Sequence, residues 1–124
     1  MEPFKLDATD ETPTVVLDKN NNIFELSGKS LPEDVTTFYD PILEWLDEYA
    51  KIPNELTVFQ FKMIYFNTAS SKLIMDILLK LEEMVEDGAN IKVEWYYQED
   101  DEDMMEAGEE FSDIVEVDFD LKTF

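Results

Sequence analysis

Apolar and polar positions along the chain change period several times, and each change marks an element. Leu56 to Phe66 is rich in β-branched and aromatic residues and holds no Gly or Pro, which predicts a long strand buried on at least one face. After a short polar turn, Leu73, Ile74, Ile77, Leu78, Leu81, Met84 and Val85 recur at spacings of one, three and four, the stripe of an amphipathic helix. The turn between them, Asn67-Thr68-Ala69-Ser70-Ser71, lies at the carboxyl end of the strand, where open α/β sheets usually place their functional crevice.

The rest of the pattern reads as support for that turn. Residues 1–11 are polar and are expected to form a flexible arm, with a single domain over residues 12–124. Thr12 to Leu17 and Ile23 to Gly28 flank an Asn-rich turn and predict an antiparallel hairpin. Val35, Phe38, Tyr39, Ile42, Leu46 and Tyr49 form a helical stripe that passes through Pro41 in phase, so a bent helix from about Glu33 to Ala50 is expected. The alternative is a regular helix that starts at Pro41 with Asp40 as its cap. Gly88 marks the end of the central helix, and Ile91, Val93, Trp95 and Tyr97 alternate with Lys92, Glu94 and Tyr96 as the next strand. Met104, Met105, Ala107 and Phe111 predict a short, weakly docked helix within an acidic stretch. The alternation from Val115 to Leu121 predicts an exposed-edge strand. The order β-β-α-β-α-β-α-β defines an α/β domain with a mixed sheet of about five strands and helices packed on it.

Composition narrows the chemistry. The 31 acidic residues against 9 basic ones give a formal charge of -22, which repels nucleic acid phosphate and anionic lipid, so neither is expected as a direct partner. The same field speeds encounter with a basic protein surface and also keeps the chain in solution. With no Cys and no His, the chain lacks disulfides, thiolate catalysis, the usual general base and the usual metal ligands. Asp18, Asn20 and Asn22 imitate the start of a calcium loop, but Ile23 and Lys29 stand where Gly and Glu are needed. Asp101 and Asp103 fail in the same way at Met105 and Glu106, so the run of 8 carboxylates in the 12 residues from Glu99 to Glu110 reads as a solvated face. No metal, cofactor or catalytic residue is expected. The opening residues lack the basic start and apolar stretch of a signal peptide, and no window approaches a membrane span. A cytoplasmic protein is therefore expected.

The hydroxyls of the turn carry the remaining chemistry. Thr68 or Ser70 can act as the N-cap of the following helix, a role worth about 1 kcal/mol. Alternatively one hydroxyl is phosphorylated, which brings about two negative charges to a dipole end that tolerates them while changing the outward surface.

Several segments together resemble a known family. They are Ser27-Gly28-Lys29-Ser30-Leu31-Pro32-Glu33-Asp34, Phe38-Tyr39-Asp40-Pro41, Trp45-Leu46, Tyr65-Phe66-Asn67-Thr68, Ser71-Lys72, and Trp95-Tyr96-Tyr97 followed by Asp100-Asp101-Glu102-Asp103-Met104. From about Thr12 to Phe119 the chain is similar to the SiaC family of regulatory phosphoproteins, which share the STAS-like architecture of anti-sigma-factor antagonists. The resemblance implies that Thr68 is the phosphorylation site, modified by a dedicated serine/threonine kinase and restored by a PP2C-type phosphatase. It implies that the unphosphorylated form binds and activates a diguanylate cyclase, raising cyclic di-GMP and promoting aggregation and biofilm formation. Ala69 stands where that motif usually has Ser. The partner surface expected around Thr68 comprises Tyr65, Phe66, Asn67, Ser70, Ser71 and Lys72. The alternative is an anti-sigma-factor antagonist in which the same switch acts on transcription. An enzyme using carboxylates and a bound metal has only the abundance of Asp and Glu in its favour.

Overall fold

Strand alternation divides the molecule into two layers. The structure, a computed structural model of residues 1–124, holds a six-stranded sheet in the order β1-β2-β3-β4-β5-β6, with β1 Phe4–Leu6, β2 Thr14–Asp18, β3 Ile23–Ser30, β4 Thr57–Phe66, β5 Ile91–Tyr97 and β6 Asp118–Thr123. The first two pairings are antiparallel and the other three are parallel. Helices α1 Val35–Tyr49, α2 Thr68–Glu86 and α3 Glu102–Ile114 make the three parallel crossovers. Each new strand is added on the same side of its predecessor, and crossovers of one hand then place every helix on the same face. The sheet therefore has a covered face and an open one.

The covered face supplies the core. Val15, Leu17, Phe24, Leu26, Phe59, Phe61, Met63, Val93 and Trp95 are buried beneath Ile42 and Leu46 of α1 and Ile74, Ile77, Leu78 and Leu81 of α2. On the open face, Val16, Glu25, Gln60, Glu94 and Asp120 stand opposite one another across five strands. Parallel strands covered on both sides are near-continuously apolar; here the polar alternation is retained because helices cover one side only.

The structure corrects several expectations. Part of the segment expected as a flexible arm is a strand: Phe4–Leu6 pairs with Val15–Leu17 and makes the sheet six strands rather than five. The first helix does run through Pro41 as expected, from Val35 to Tyr49, and its cap at Asp34 rules out the alternative start at Pro41 with Asp40 as cap. The Asp34 carboxylate accepts from the Thr37 amide at 3.1 Å. The last strand starts at Asp118, because Val115 still caps α3. The Asn-rich segment is a turn as expected, with Asp18 accepting from the backbone and side-chain amides of Asn21 at 3.1 and 2.7 Å.

Far from docking weakly, α3 is anchored on the core. The fully buried Trp95 donates from its indole nitrogen to the Met104 carbonyl at 3.0 Å, and its ring lies 5.4 Å from that of Phe111. Gly108 permits this approach, since a Cβ there would fall 2.5 Å from Trp95 Cδ1 and 2.6 Å from Leu121 Cδ2.

Candidate functional site

A bulge decides which aromatic side chains reach the turn. Simple alternation from Thr57 would bury Tyr65 and put Phe66 on the open face. Instead the β3/β4 register shifts, from Gly28 opposite Met63 to Lys29 opposite Tyr65, leaving Ile64 as an extra residue. Gly28 takes φ +116°, a conformation that L side chains rarely adopt, beside this irregularity. Beyond it the faces exchange: Tyr65 is exposed, while Phe66 turns towards the helices, its ring 6.2 Å from those of both Trp95 and Phe111.

The turn itself is pinned from below. Asn67, neither Thr68 nor Ser70, is the N-cap of α2, and its side-chain oxygen accepts from the Ser70 amide at 2.8 Å. Ser70 is fully buried, so it cannot touch a partner in this conformation as had been expected. Its hydroxyl donates to the Ser30 carbonyl at 2.9 Å and accepts from the Ser30 hydroxyl at 2.8 Å. Each hydroxyl has one proton, so the 2.6 Å contact between Tyr39 and Ser30 must use the Tyr39 proton. The chain Tyr39 to Ser30 to Ser70 ties α1, β3 and α2 together, and the Asn67 amide also donates to the Ser30 carbonyl at 3.1 Å. Burial pushes the Tyr39 phenol above its ordinary pKa against the opposing effect of these hydrogen bonds.

Thr68 is thereby left as the first residue of α2, with its side chain outward. On a helix, residues four and seven or eight positions on share its face, so Thr68, Lys72, Met75 and Asp76 form one outward stripe. That stripe leads into a groove between α2 and α3 of about 630 Å³, lined by Phe66, Ser71, Lys72, Met75, Glu110 and Ile114 among others. A second hollow of about 350 Å³ adjoins it through Phe66 and Ala107 and reaches Ile64, Tyr65, Asp101 and Asp103. Of the expected partner residues, the fold gathers Tyr65, Phe66, Ser71 and Lys72 about this groove, whereas Asn67 serves the cap. The α3 wall, with Ala107, Glu110 and Ile114, lacked any signal in the sequence beyond its apolar spacing.

Charge around the groove is uneven. Six of the nine lysines pair with carboxylates, and Lys19 donates to the Ile52 carbonyl. The remaining two are Lys72, which lines the groove one turn beyond Thr68, and Lys29, which lies with exposed Tyr65 on the open side of the sheet. No group of three or more carboxylates is placed to hold a metal ion, and no helix is long and apolar enough to cross a membrane.

A helix-backed α/β domain with an outward hydroxyl beside a half-apolar groove fits the class of regulatory domains. Residues 6–124 match the SiaC family regulatory phosphoprotein, and the chain belongs to that family. An uncharacterized protein of Pseudomonas aeruginosa strain UCBPP-PA14 is 27% identical over 111 residues, covering 90% of this chain and 88% of that protein. The fold matches that of SiaC of Pseudomonas aeruginosa at a TM-score of 0.91, with 24% identity and 100% of both chains covered. A chain in the crystal structure of the diguanylate cyclase SiaD in complex with its activator SiaC, also from Pseudomonas aeruginosa, matches at a TM-score of 0.92. It is 25% identical over 98% of this chain and 99% of its own length.

Proposed function

We propose that this chain is a non-enzymatic, cytoplasmic switch protein that binds and activates a diguanylate cyclase while Thr68 is unphosphorylated. A cognate serine/threonine kinase turns it off and a PP2C-type phosphatase restores it. The observation that carries the reading is the position of Thr68: outward at the first turn of α2, on the stripe that forms one wall of the groove. Tyr65, Phe66, Ser71 and Lys72 belong to the docking surface on this reading, and Asn67 holds Thr68 in place.

Phosphorylation adds about two negative charges and three acceptor oxygens at the rim. A partner group seated there loses contact through repulsion, bulk and the desolvation of the phosphate. The helix itself is not disrupted, because negative charge at its N-terminus is favoured by the dipole.

The test is affinity for the purified cognate cyclase, with mass spectrometry to locate the phosphate. Thr68→Ala keeps binding and cyclase activation, while the phosphorylated protein and Thr68→Glu lose affinity by about tenfold or more. Equal affinity of the modified and unmodified proteins would sink the reading.

A further inference from the structure

We propose that the free edge of β6 pairs antiparallel with the same edge of a second copy of this chain, joining the two sheets into one about a two-fold axis at Leu121. The inference does not depend on the switch reading, since neither Thr68 nor the α2–α3 groove takes part.

The sheet ends in two unpaired edges, and they differ. β1 is three residues long and follows Pro3, which blunts it. β6 runs six residues from Asp118 to Thr123 with no Pro, Gly or register shift. The Phe124 amide donates to the Tyr97 carbonyl at 3.1 Å, and successive residues of a strand direct their main-chain groups to opposite sides. Asp120 and Lys122 therefore turn their main chain towards β5. The N–H and C=O groups of Phe119, Leu121 and Thr123 point away from the sheet and have no strand to meet.

Charge then selects the register. Antiparallel strands exchange hydrogen bonds between residues that both point outward, so β6 must be centred on one of its own residues. Centring on Asp120 or on Lys122 sets like charges against each other, and centring on Phe119 sets Asp118 against Asp120. Centring on Thr123 leaves most of the strand unpaired. Centring on Leu121 avoids every conflict. Leu121 then meets its own copy, Phe119 meets Thr123 on each side, about six main-chain hydrogen bonds form, and Asp120 of each copy faces Lys122 of the other. These pairs extend contacts already present: Asp120 meets Lys92 at 2.8 Å and Lys122 meets Glu94 at 2.7 Å, so opposite charges alternate across the axis without a break. On the other face the two Leu121 side chains, each 37% exposed, cover one another. The axis stands perpendicular to the sheet, which keeps all the helices on one side and sets the two Thr68 turns at opposite ends.

Long-range repulsion limits the pair. Each copy has a formal charge of -22, and the ten carboxylates from Glu99 to Glu116 belong to the segment that leads into β6. Exposed charges are screened beyond about 10 Å at 0.1 M salt and about 3 Å at 1 M, so association strengthens as salt rises. Association through ion pairs alone would weaken. One strand edge buries less than the roughly 800 Å² per partner of a standard interface, so the dimer is weak and reversible.

Sedimentation equilibrium of the intact chain tests this. A reversible dimer is expected at about 0.5 M sodium chloride, with association about tenfold weaker at about 0.05 M. Thr123→Pro removes an outward donor and no bond to β5, so it should weaken the dimer about tenfold with little change in the melting curve. Disulfides read the register, because the chain has no cysteine of its own. Leu121→Cys brings two thiols to the axis with Cα atoms about 5.5 Å apart, and mild oxidation should crosslink it. Thr123→Cys places them about 14 Å apart and should not crosslink. A monomer at both salt concentrations, association that only weakens with salt, full association in Thr123→Pro, or equal crosslinking of the two cysteine variants would each overturn the proposal. Leu121 lies beneath Gly108, so a melting curve checks that Leu121→Cys folds; if it does not, the salt series and Thr123→Pro decide.

Discussion

The two faces of the sheet treat charge in opposite ways. On the open face, Lys5, Lys62, Lys92 and Lys122 each meet a carboxylate, at 3.6, 2.7, 2.8 and 2.7 Å from Asp18, Glu25, Asp120 and Glu94. On the helical side, α3 and its flanks carry their ten carboxylates with no lysine at all. Net charge is therefore concentrated on the layer that also holds the groove, Thr68 and the unpaired Lys72. The difference shows where charge stays available: four lysines of the open face are paired, whereas α3 and its flanks, unlike the α1–α2 side with its Lys51–Glu48 and Lys80–Asp47 pairs, have no lysine to pair their carboxylates.

The comparison breaks most completely where α3 meets the sheet. Trp95→Ala removes the anchor of both α3 and Phe66 and is expected to cost about 3–5 kcal/mol in urea unfolding. Gly108→Ala drives a methyl group into the Trp95 ring and should cost about 1–3 kcal/mol. Either change displaces the α3 wall, so on the proposed reading cyclase binding falls with it. A Gly108→Ala protein of unchanged stability would show that α3 is not seated on Trp95 as described.

These two residues also mark the limit of what the sequence discloses. The helix after the turn and the alternation of Ile91 to Trp95 were legible because their periods are undisturbed, the central strand because of its β-branched and aromatic composition, and the turn because it is a polar run between them. Gly108 was silent, since a glycine required by a tertiary approach looks like any glycine in a polar helix. The exchange of Tyr65 and Phe66 was hidden as well, because a one-residue bulge is set by the neighbouring strand at Gly28 and leaves local composition unchanged. The cap was misplaced for a related reason: Asn67, Thr68 and Ser70 all suit an N-cap locally, and the buried partners Ser30 and Tyr39 decide among them. Phe4–Leu6 escaped notice because three residues give too short a period to read, and their strand exists only through pairing with β2.

A smaller effect is expected in the hydroxyl chain. Ser70→Ala leaves the buried Ser30 proton without its acceptor and should cost about 1–3 kcal/mol, whereas Tyr39→Phe loses one hydrogen bond and should cost about 1 kcal/mol. Thermal or urea unfolding measures both. Tyr39→Phe should leave binding by Thr68 variants in the same order, because the Asn67 cap remains.

On the open face the most sensitive probe is pH. The Glu94 carboxylate accepts from Lys122 at 2.7 Å and from Gln60 at 2.9 Å, and these hydrogen bonds pull its pKa down to about 2 despite burial. A depressed folded pKa stabilises the native state above the unfolded value, near 4.5, and that stabilisation is lost as pH falls towards 2. Lys122 is shifted upward by the same contact, so its contribution persists below its ordinary value of 10.5 and is lost only as pH rises beyond it. The stability gap between wild type and Glu94→Gln should therefore be flat through neutral pH and narrow below about 4.5. A gap that stays constant down to pH 2 would contradict the pairing.

The smallest expected effect separates the two faces most sharply. Lys62 bridges to Glu25 and lies 5.2 Å from the centre of the Tyr96 ring, contacts of a kind that together contribute about 1 kcal/mol or less at a partly exposed site. Lys62→Gln should lower the unfolding midpoint slightly and leave binding untouched. Lys72→Gln removes a lysine without an ion pair, so stability should barely change, yet it takes away the cation beside Thr68 and should weaken partner binding several-fold. Measured side by side, the pair sets lost stability against lost recognition for the same chemical change. If Lys62→Gln weakened binding as much as Lys72→Gln, recognition would extend to the open sheet face, and the division of labour between the two faces would have to be abandoned.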